Sequence, residues 1–128
     1  MASLIIVSGA ILGAAGLIAG TFASHAVARV CRSPDQVRNW EAAIRAGLVH
    51  AIVMLVAGIL LLTPRANDAR GLLTAAGLLF LAGTLLFSVC LAAFAISGRA
   101  IFAAVAPLGS IVLLIGWAAL ACAGFLIH

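Results

Sequence analysis

Charged residues are scarce in this chain of 128 residues, at only 8%. A soluble domain carries about 25% charged and about 45–50% apolar residues, whereas here 66% are apolar and the mean hydropathy is +1.36. This composition excludes a soluble globular protein. The few charged side chains leave four uncharged blocks, residues 1–28, 46–64, 71–98 and 100–128.

Each uncharged block can cross a bilayer, since about 20 apolar residues suffice for a transmembrane helix. The sequence therefore predicts an all-α fold, an integral membrane bundle of four transmembrane helices. Short connections leave no room for a soluble domain, so we expect one domain over residues 1–128. The predicted spans are about 3–28, 42–63, 71–97 and 101–127.

The first block has one feature of a cleaved signal peptide, the small-x-small run Ala26-Val27-Ala28. No positive residue precedes the apolar run, however, and the run is far longer than the about 7–15 residues of a signal-peptide core. We therefore expect the block to remain as a membrane helix.

Lysine is absent, and the seven basic residues are all arginine. Because these arginines flank membrane spans, we interpret them as topology signals and expect no nucleic-acid partner. The second connection carries Arg65 and Arg70, and the first and third together carry Arg29, Arg32, Arg38, Arg45 and Arg99. The positive-inside rule then predicts a multi-pass protein of the cell membrane with both termini non-cytoplasmic.

Cysteine is also rare, and Cys31, Cys90 and Cys122 show no C-x-x-C spacing. We therefore expect no disulfide framework, no metal site and no cofactor. The sequence has no H-E-x-x-H, phosphate-binding loop, nucleophile elbow or pair of intramembrane carboxylates, so we expect no enzyme. A proton-coupled transporter is disfavoured because no acidic residue lies deep in a span.

Small residues form a narrow stripe on the first span. Gly9, Gly13, Gly16 and Gly20 recur at spacings of four, three and four, and Ser24 continues the stripe. In lipid, such a stripe lets another helix backbone approach closely. It predicts either a dimerisation face or, as the favoured interpretation, contact with a neighbouring helix of the same bundle.

The second span begins before its apolar core. Ser33 is the predicted N-cap and Pro34 the first helical residue, and Trp40 is the predicted aromatic anchor at the lipid headgroups. Charged residues at helical spacing form a predicted surface strip. They are Arg38, Glu41 and Arg45.

The third span has two adjoining faces. One carries Phe80, Phe87 and Phe94 at intervals of seven, and the other carries Gly77, Thr84 and Ser88. The phenylalanines predict packing or lipid contact, with ligand binding as the alternative. The small polar face predicts close packing and hydrogen bonds between helices.

The fourth span contains Pro107, which lacks an N–H and so leaves the Ala103 carbonyl without its helical donor. Either the helix kinks there, or residues 100–106 form a separate segment. Gly109 and Ser110 could supply a close approach and a hydroxyl for the freed carbonyl. The two interpretations are a structural kink, which we favour, and a binding site.

Two histidines lie inside apolar blocks, His25 near the end of the first span and His50 early in the second. Since the two spans are antiparallel, we expect both side chains at similar depth, away from mid-bilayer. They could meet and bind a metal, a haem or a ligand's polar head, or relay a proton. The alternative, which we favour, is that each caps a helix end or bonds a backbone carbonyl near the interface. His25 lies off the glycine stripe, about 140° from Gly20.

One tripeptide of small residues occurs twice, at Ala19-Gly20-Thr21 and at Ala82-Gly83-Thr84. Such a repeat would suit two tandem helical hairpins in the same orientation. A tripeptide of common residues is weak support, so no further prediction rests on it.

Several runs together resemble a known family. Residues 19–25 (AGTFASH) are similar to its G-A-F-G-A-H signature, and Trp40 with His50-Ala51 to W-x-x-[TA] and Y-Q-x-x-H-A. Residues 81–88 (LAGTLLFS) resemble L-x-x-G-T-x-L-F-S, and residues 106–110 with 114–118 resemble T-P-x-G-G and L-x-G-W-A. The family is domain of unknown function 423, four-helix membrane proteins similar to transmembrane protein 256. The resemblance implies a fold and a location but no activity.

The chain also departs from the family pattern. Ala23 and Ser24 replace the usual Gly-Ala, Gly47 falls where an aromatic residue is usual, and Leu48 replaces the glutamine. A polar pocket built on that aromatic residue and glutamine would be altered or lost here.

Two functions remain open. The favoured one is a non-enzymatic structural or accessory subunit, in a homo-oligomer or a membrane complex, with membrane lipids as partners. The alternative is a bundle that binds or transports a lipid or small molecule, with His25, His50 and the Pro107 kink at its polar end. Its candidate ligand-binding residues are His25, His50, Trp40, Thr84, Ser88, Pro107 and Ser110.

Overall fold

The computed structural model describes residues 1–31 and 33–127, which form helices and no strand. Four helices are long and apolar enough to cross a membrane, α1 (Ala2–Val30), α2 (Pro34–Leu60), α3 (Arg70–Ser97) and α4 (Ala100–Gly124). The predicted all-α bundle of four transmembrane helices is confirmed. Arg32, one of the arginines counted for orientation, lies outside the described residues, as does His128.

Glycines bring α1 against α2. A Cβ atom added at Gly16 would lie 2.9 Å from Leu48 Cδ2, and one at Gly9 would lie 3.0 Å from the Ala51 carbonyl oxygen. The whole stripe, Gly9, Gly13, Gly16 and Gly20, faces α2 in this way. Its close approach is therefore used within the chain, between neighbouring helices.

Glycines also bring α3 against α4. A Cβ atom at Gly83 would lie 2.7 Å from Leu113 Cδ2, and one at Gly109 would lie 2.5 Å from the Phe87 backbone nitrogen. The molecule thus consists of two tightly packed antiparallel pairs, α1 with α2 and α3 with α4. Contacts between α2 and α3 join the pairs.

Helices α1 and α3 meet near the two ends of the bundle. At one end Ile5 fills the space beside Gly77, where an added Cβ atom would lie 2.6 Å from Ile5 Cδ1. At the other end the Cys31 thiol donates to the Ala95 carbonyl oxygen at 3.4 Å. Val27 and Trp40 pack with Ala95 there. Between these two contacts α1 and α3 separate.

Local sequence signals set the helix boundaries. The Ser33 hydroxyl accepts from the Gln36 backbone N–H, and the Gln36 side chain accepts from that of Ser33, so a capping box starts α2. Gly98, at φ 67°, adopts the left-handed conformation that ends α3. Helix α4 is continuous through Pro107. Residues 100–106 are therefore not a separate segment.

Candidate functional site

Backbone irregularities lie in one half of the bundle, the half nearer the α1–α2 and α3–α4 connections. Helix α1 has a π-helical segment at Ala19–Ala23, α3 has one at Leu85–Val89, and α4 contains Pro107. π turns recur at functional sites, and in lipid irregular backbone is tolerated where protein buries it or where it lines a cavity. We therefore place the candidate site in this half.

A cavity of about 340 Å³, here called the α1–α3 cavity, lies where α1 and α3 separate, and α2 forms its floor. Its lining is mostly apolar and includes Gly16, Ala19, Trp40, Gly47, Thr84 and Ser88. Ala15, Val89 and Ile96 also line it and are exposed on the outer surface. The cavity is therefore open towards the surrounding bilayer.

Two hydroxyls in this lining have no partner. Thr84 Oγ1 and Ser88 Oγ are both buried and make no hydrogen bond within the described part of the chain. The α1 hydroxyls of Thr21 and Ser24 behave differently, since they donate to carbonyl oxygens one turn earlier at 2.7 Å and 2.9 Å. The bonds between helices expected for Thr84 and Ser88 are not formed.

Trp40 lines the cavity in its part nearer the α1–α2 connection. Its side chain is 7% exposed and its indole Nε1–H donates to Ser24 Oγ at 3.2 Å. The sequence predicted Trp40 as an anchor facing the headgroups, and this is wrong because α1 covers the indole. Trp40 instead links α2 to α1 at Ser24, the residue that directly follows the π-helical segment.

His50 belongs to a cluster of rings midway along the helices. Trp117 Nε1–H donates to His50 Nε2 at 3.3 Å, and His50 Nδ1 lies 2.7 Å from the Ala46 carbonyl oxygen. Because indole is only a donor, Nε2 accepts and the neutral imidazole carries its proton on Nδ1. Phe80 also belongs to the cluster. The centroid of its ring lies 5.7 Å from that of the His50 ring and 5.4 Å from that of the Trp117 ring.

The two histidines do not share a depth. Trp40 bonds Ser24, the residue before His25, and ten residues along α2 separate Trp40 from His50. The offset is therefore about 15 Å at 1.5 Å per residue. His50 lies midway along the bundle, and His25 is exposed near the end of α1. The two histidines therefore do not form the shared site that was one of the two interpretations, and neither lines the α1–α3 cavity.

A second pocket, the α2–α4 pocket, opens on the opposite side of α3 and has a volume of about 610 Å³. Pro107, Ser110, Phe87 and Phe94 line it, together with Asn39 of α2. The phenylalanine face thus divides, since Phe80 packs in the ring cluster while the other two line this pocket. Of the candidate ligand residues, Trp40, Thr84 and Ser88 lie at one cavity and Pro107 and Ser110 at the other.

Sequence reasoning gave no binding role to several contributors to these sites, among them Ala43, Gly47 and Trp117. Ala43 and Gly47, one turn apart on α2, form the cavity floor, and their small size at helical spacing was the available signal. Trp117, the partner of His50, had no signal in its spacing. No three His, Cys, Asp or Glu side chains are grouped to hold a metal ion within residues 1–31 and 33–127.

Comparison with known proteins identifies a family. A family model described as "Protein of unknown function (DUF423)" matches residues 19–110, more than half of the chain. The chain therefore belongs to the DUF423 family, as the resemblance predicted. No curated protein and no solved structure matches it. The match includes His50, Thr84, Ser88 and Pro107, whereas Trp117 lies beyond it.

Proposed function

We propose that this member of the DUF423 family is a non-enzymatic, multi-pass protein of the cell membrane that binds a lipophilic molecule in the α1–α3 cavity. The observation that carries the proposal is the pair of unpartnered hydroxyls, Thr84 and Ser88, in the wall of an apolar cavity. A buried hydroxyl without a partner costs about 1–3 kcal/mol. A ligand oxygen that pairs with it gains that energy on binding.

The shape of the cavity favours a chain-like ligand. Its volume of about 340 Å³ lies within the range of about 300–1,000 Å³ of small-molecule sites. Its α3 lining extends from Thr84 to Ile96, twelve residues or about 18 Å of helix. Thr84 lies midway along α3, so the hydroxyls are deep in the bundle. We therefore assign a single-chain lipid with an oxygen function within its chain.

The sequence favoured an accessory subunit in an oligomer, and that expectation stays a prediction. Its main support was the stripe of small residues on α1, which packs against α2 within the chain. The stripe therefore supplies no free face for a second copy. The mass measurement described below counts any subunits that associate through other surfaces.

The orientation is also part of the proposal. The arginine count supports a cytoplasmic location for the α1–α2 and α3–α4 connections, with both termini on the other side. The α1–α3 cavity lies in the half of the bundle nearer these connections. A lipid would therefore enter from the cytoplasmic half of the bilayer.

Native mass spectrometry of the full chain from mild detergent tests the proposal, with methyl ricinoleate and methyl oleate as probes. These esters differ only by a mid-chain hydroxyl. We expect methyl ricinoleate to bind more tightly, because its hydroxyl pairs with Thr84 or Ser88. Thr84→Val keeps the side-chain shape and removes one hydroxyl, so it should reduce the preference by about two- to tenfold.

Ala93→Phe provides a blocking variant, because Ala93 lines the cavity and a phenyl ring would fill part of it. Ala104→Phe, at an exposed position of α4 outside both cavities, is its matched control. Binding should be lost in the first variant and kept in the second. Equal binding to both variants would contradict the proposal, as would equal affinity of the wild type for the two esters.

A further inference from the structure

The α2–α4 pocket has polar atoms at its outer end. Asn39 lies five residues into α2 and Ala103 three residues into α4, and both helices start at the same end of the bundle. At 1.5 Å per residue they lie about 8 Å and about 5 Å from the helix starts. Ser110 lies about 10 Å deeper than Ala103. The pocket therefore has a shallow end and a deep end of different composition.

Pro107 makes a carbonyl available at the shallow end. Because proline has no N–H, the Ala103 carbonyl oxygen receives no bond from residue 107, although α4 continues through it. Residues four apart share a helix face, and both Ala103 and Pro107 line the pocket. The carbonyl that loses its bond from residue 107 thus belongs to the pocket-lining part of α4, where a ligand hydroxyl can donate to it.

Asn39 adds an amide to this carbonyl. Asn39 lines the pocket and is half-buried. An amide offers two donor hydrogens and an acceptor oxygen. None of the described residues that line the pocket is charged, so these residues offer no counter-charge to a carboxylate or phosphate. These features select an uncharged group that can both donate and accept.

The deep end is apolar apart from Ser110. Phe87, Leu91 and Ile111 line it. The backbone of α4 at Gly109 lies directly against the backbone of Phe87. This contact limits the depth of the pocket between α3 and α4. Such a surface suits a hydrocarbon tail below a polar head.

We propose that the α2–α4 pocket binds an uncharged, hydroxyl-bearing single-chain lipid of the monoacylglycerol type. A glycerol hydroxyl donates to the Ala103 carbonyl oxygen, and the Asn39 amide pairs with a second head oxygen. The acyl chain lies along Phe87 and Ile111. This site is separate from the α1–α3 cavity and does not depend on the function proposed for that cavity.

The test measures thermal unfolding of the purified full chain in detergent with monoolein, oleic acid or methyl oleate. All three carry the same acyl chain and differ in their heads. We expect monoolein to raise the melting temperature most, because only its head supplies two hydroxyls without a charge. An equal shift with oleic acid or methyl oleate would overturn the proposal.

Substitutions in the pocket test where the head group of monoolein binds. Asn39→Leu removes the amide and Pro107→Ala returns a helical donor to the Ala103 carbonyl, so each should weaken monoolein binding by about two- to tenfold. Asn67→Leu and Pro64→Ala, in the connection between α2 and α3, are the matched controls and should keep the shift. Ser110→Ala should keep it as well, because Ser110 lies below the head.

The thermal shifts of these variants distinguish binding in the α2–α4 pocket from binding in the α1–α3 cavity. Ala93→Phe blocks the α1–α3 cavity and should leave the monoolein shift unchanged, whatever it does to methyl ricinoleate. Loss of the shift in Ala93→Phe, or an unchanged shift in both Asn39→Leu and Pro107→Ala, would overturn the assignment to the α2–α4 pocket.

Discussion

Gly109 leaves no room for a side chain. An added Cβ atom would lie 2.5 Å from the Phe87 backbone nitrogen and 2.8 Å from its Cα. Both are backbone atoms and cannot rotate away, so α4 would have to move off α3. We expect Gly109→Ala to lower the free energy of unfolding by about 1–3 kcal/mol, as measured by denaturant unfolding in detergent.

Gly71 supplies the matched control for this change. It is also helical, and an added Cβ atom there would have nothing within 4 Å. Alanine is the better helix former, so Gly71→Ala should stabilise by about 0.5–1 kcal/mol. If the two variants unfold alike, the close approach of α4 to α3 at Phe87 is refuted.

The contributions of His50 and Trp117 to the free energy of unfolding should be coupled. The contribution of His25 should be independent of both. Trp117 donates to His50, so His50→Leu and Trp117→Phe each remove the same bond. Hydrogen bonds between membrane helices contribute about 0.6–2 kcal/mol. We therefore expect the double variant to lose less stability than the sum of the single variants by about that amount. Denaturant unfolding of all three variants measures the difference.

His25→Leu is the control for this cycle. His25 is exposed and offset from His50 by about 15 Å, beyond the range at which side chains couple. Its effect on stability should be small and should add to that of His50→Leu. A coupling between the two histidines would restore the shared site that the helix register argues against.

At the scale of the helices, boundaries and packing faces followed from the sequence. The Ser33 cap and Pro34 start α2 as predicted, because capping depends on residues close in sequence. The glycine stripe of α1 lies against α2, since small residues at helical spacing define a face before the partner is known. Four uncharged blocks similarly suffice to predict four spans.

The relative depth of His25 and His50 in the bundle could not be predicted from the sequence, for a physical reason. The expectation of a similar depth assumed that residues 29–45 form a connection, with His25 and His50 near its two ends. In the structure α1 ends at Val30 and α2 starts at Pro34, so most of that stretch is helical. Each additional helical residue moves His50 about 1.5 Å further from the connection.

The π-helical segments also could not be predicted from the sequence. A π turn depends on which carbonyl each N–H reaches, and the side-chain pattern does not specify this. The two Ala-Gly-Thr tripeptides nevertheless mark both segments, since one lies within Ala19–Ala23 and the other directly precedes Leu85–Val89. Thr21 in the α1 copy and Ser24 after it donate hydrogen bonds. Thr84 in the α3 copy and Ser88 after it have no partner among the described residues.

At the scale of the whole molecule, the cavities arise from how the two helix pairs meet. Glycines hold α1 to α2 and α3 to α4 at short distance. Between the pairs, α1 reaches α3 near Ile5 and near Cys31. The space left between these contacts is the α1–α3 cavity, so its size depends on the angle between the pairs. Binding should accordingly stabilise the arrangement of the pairs relative to each other.

The orientation of the whole bundle can be tested by cysteine labelling. In a variant lacking Cys31, Cys90 and Cys122, Asn67→Cys places a thiol in the exposed connection between α2 and α3. Because this connection carries fewer arginines, we expect it outside the cytoplasm, so a membrane-impermeant reagent should label intact cells. Ala100→Cys, exposed at the start of α4, is the matched control and should react only after permeabilisation. The reverse labelling pattern would show that the bundle has the opposite orientation in the membrane. Lipid would then reach the α1–α3 cavity from the outer half of the bilayer, and the four-helix fold would be unaffected.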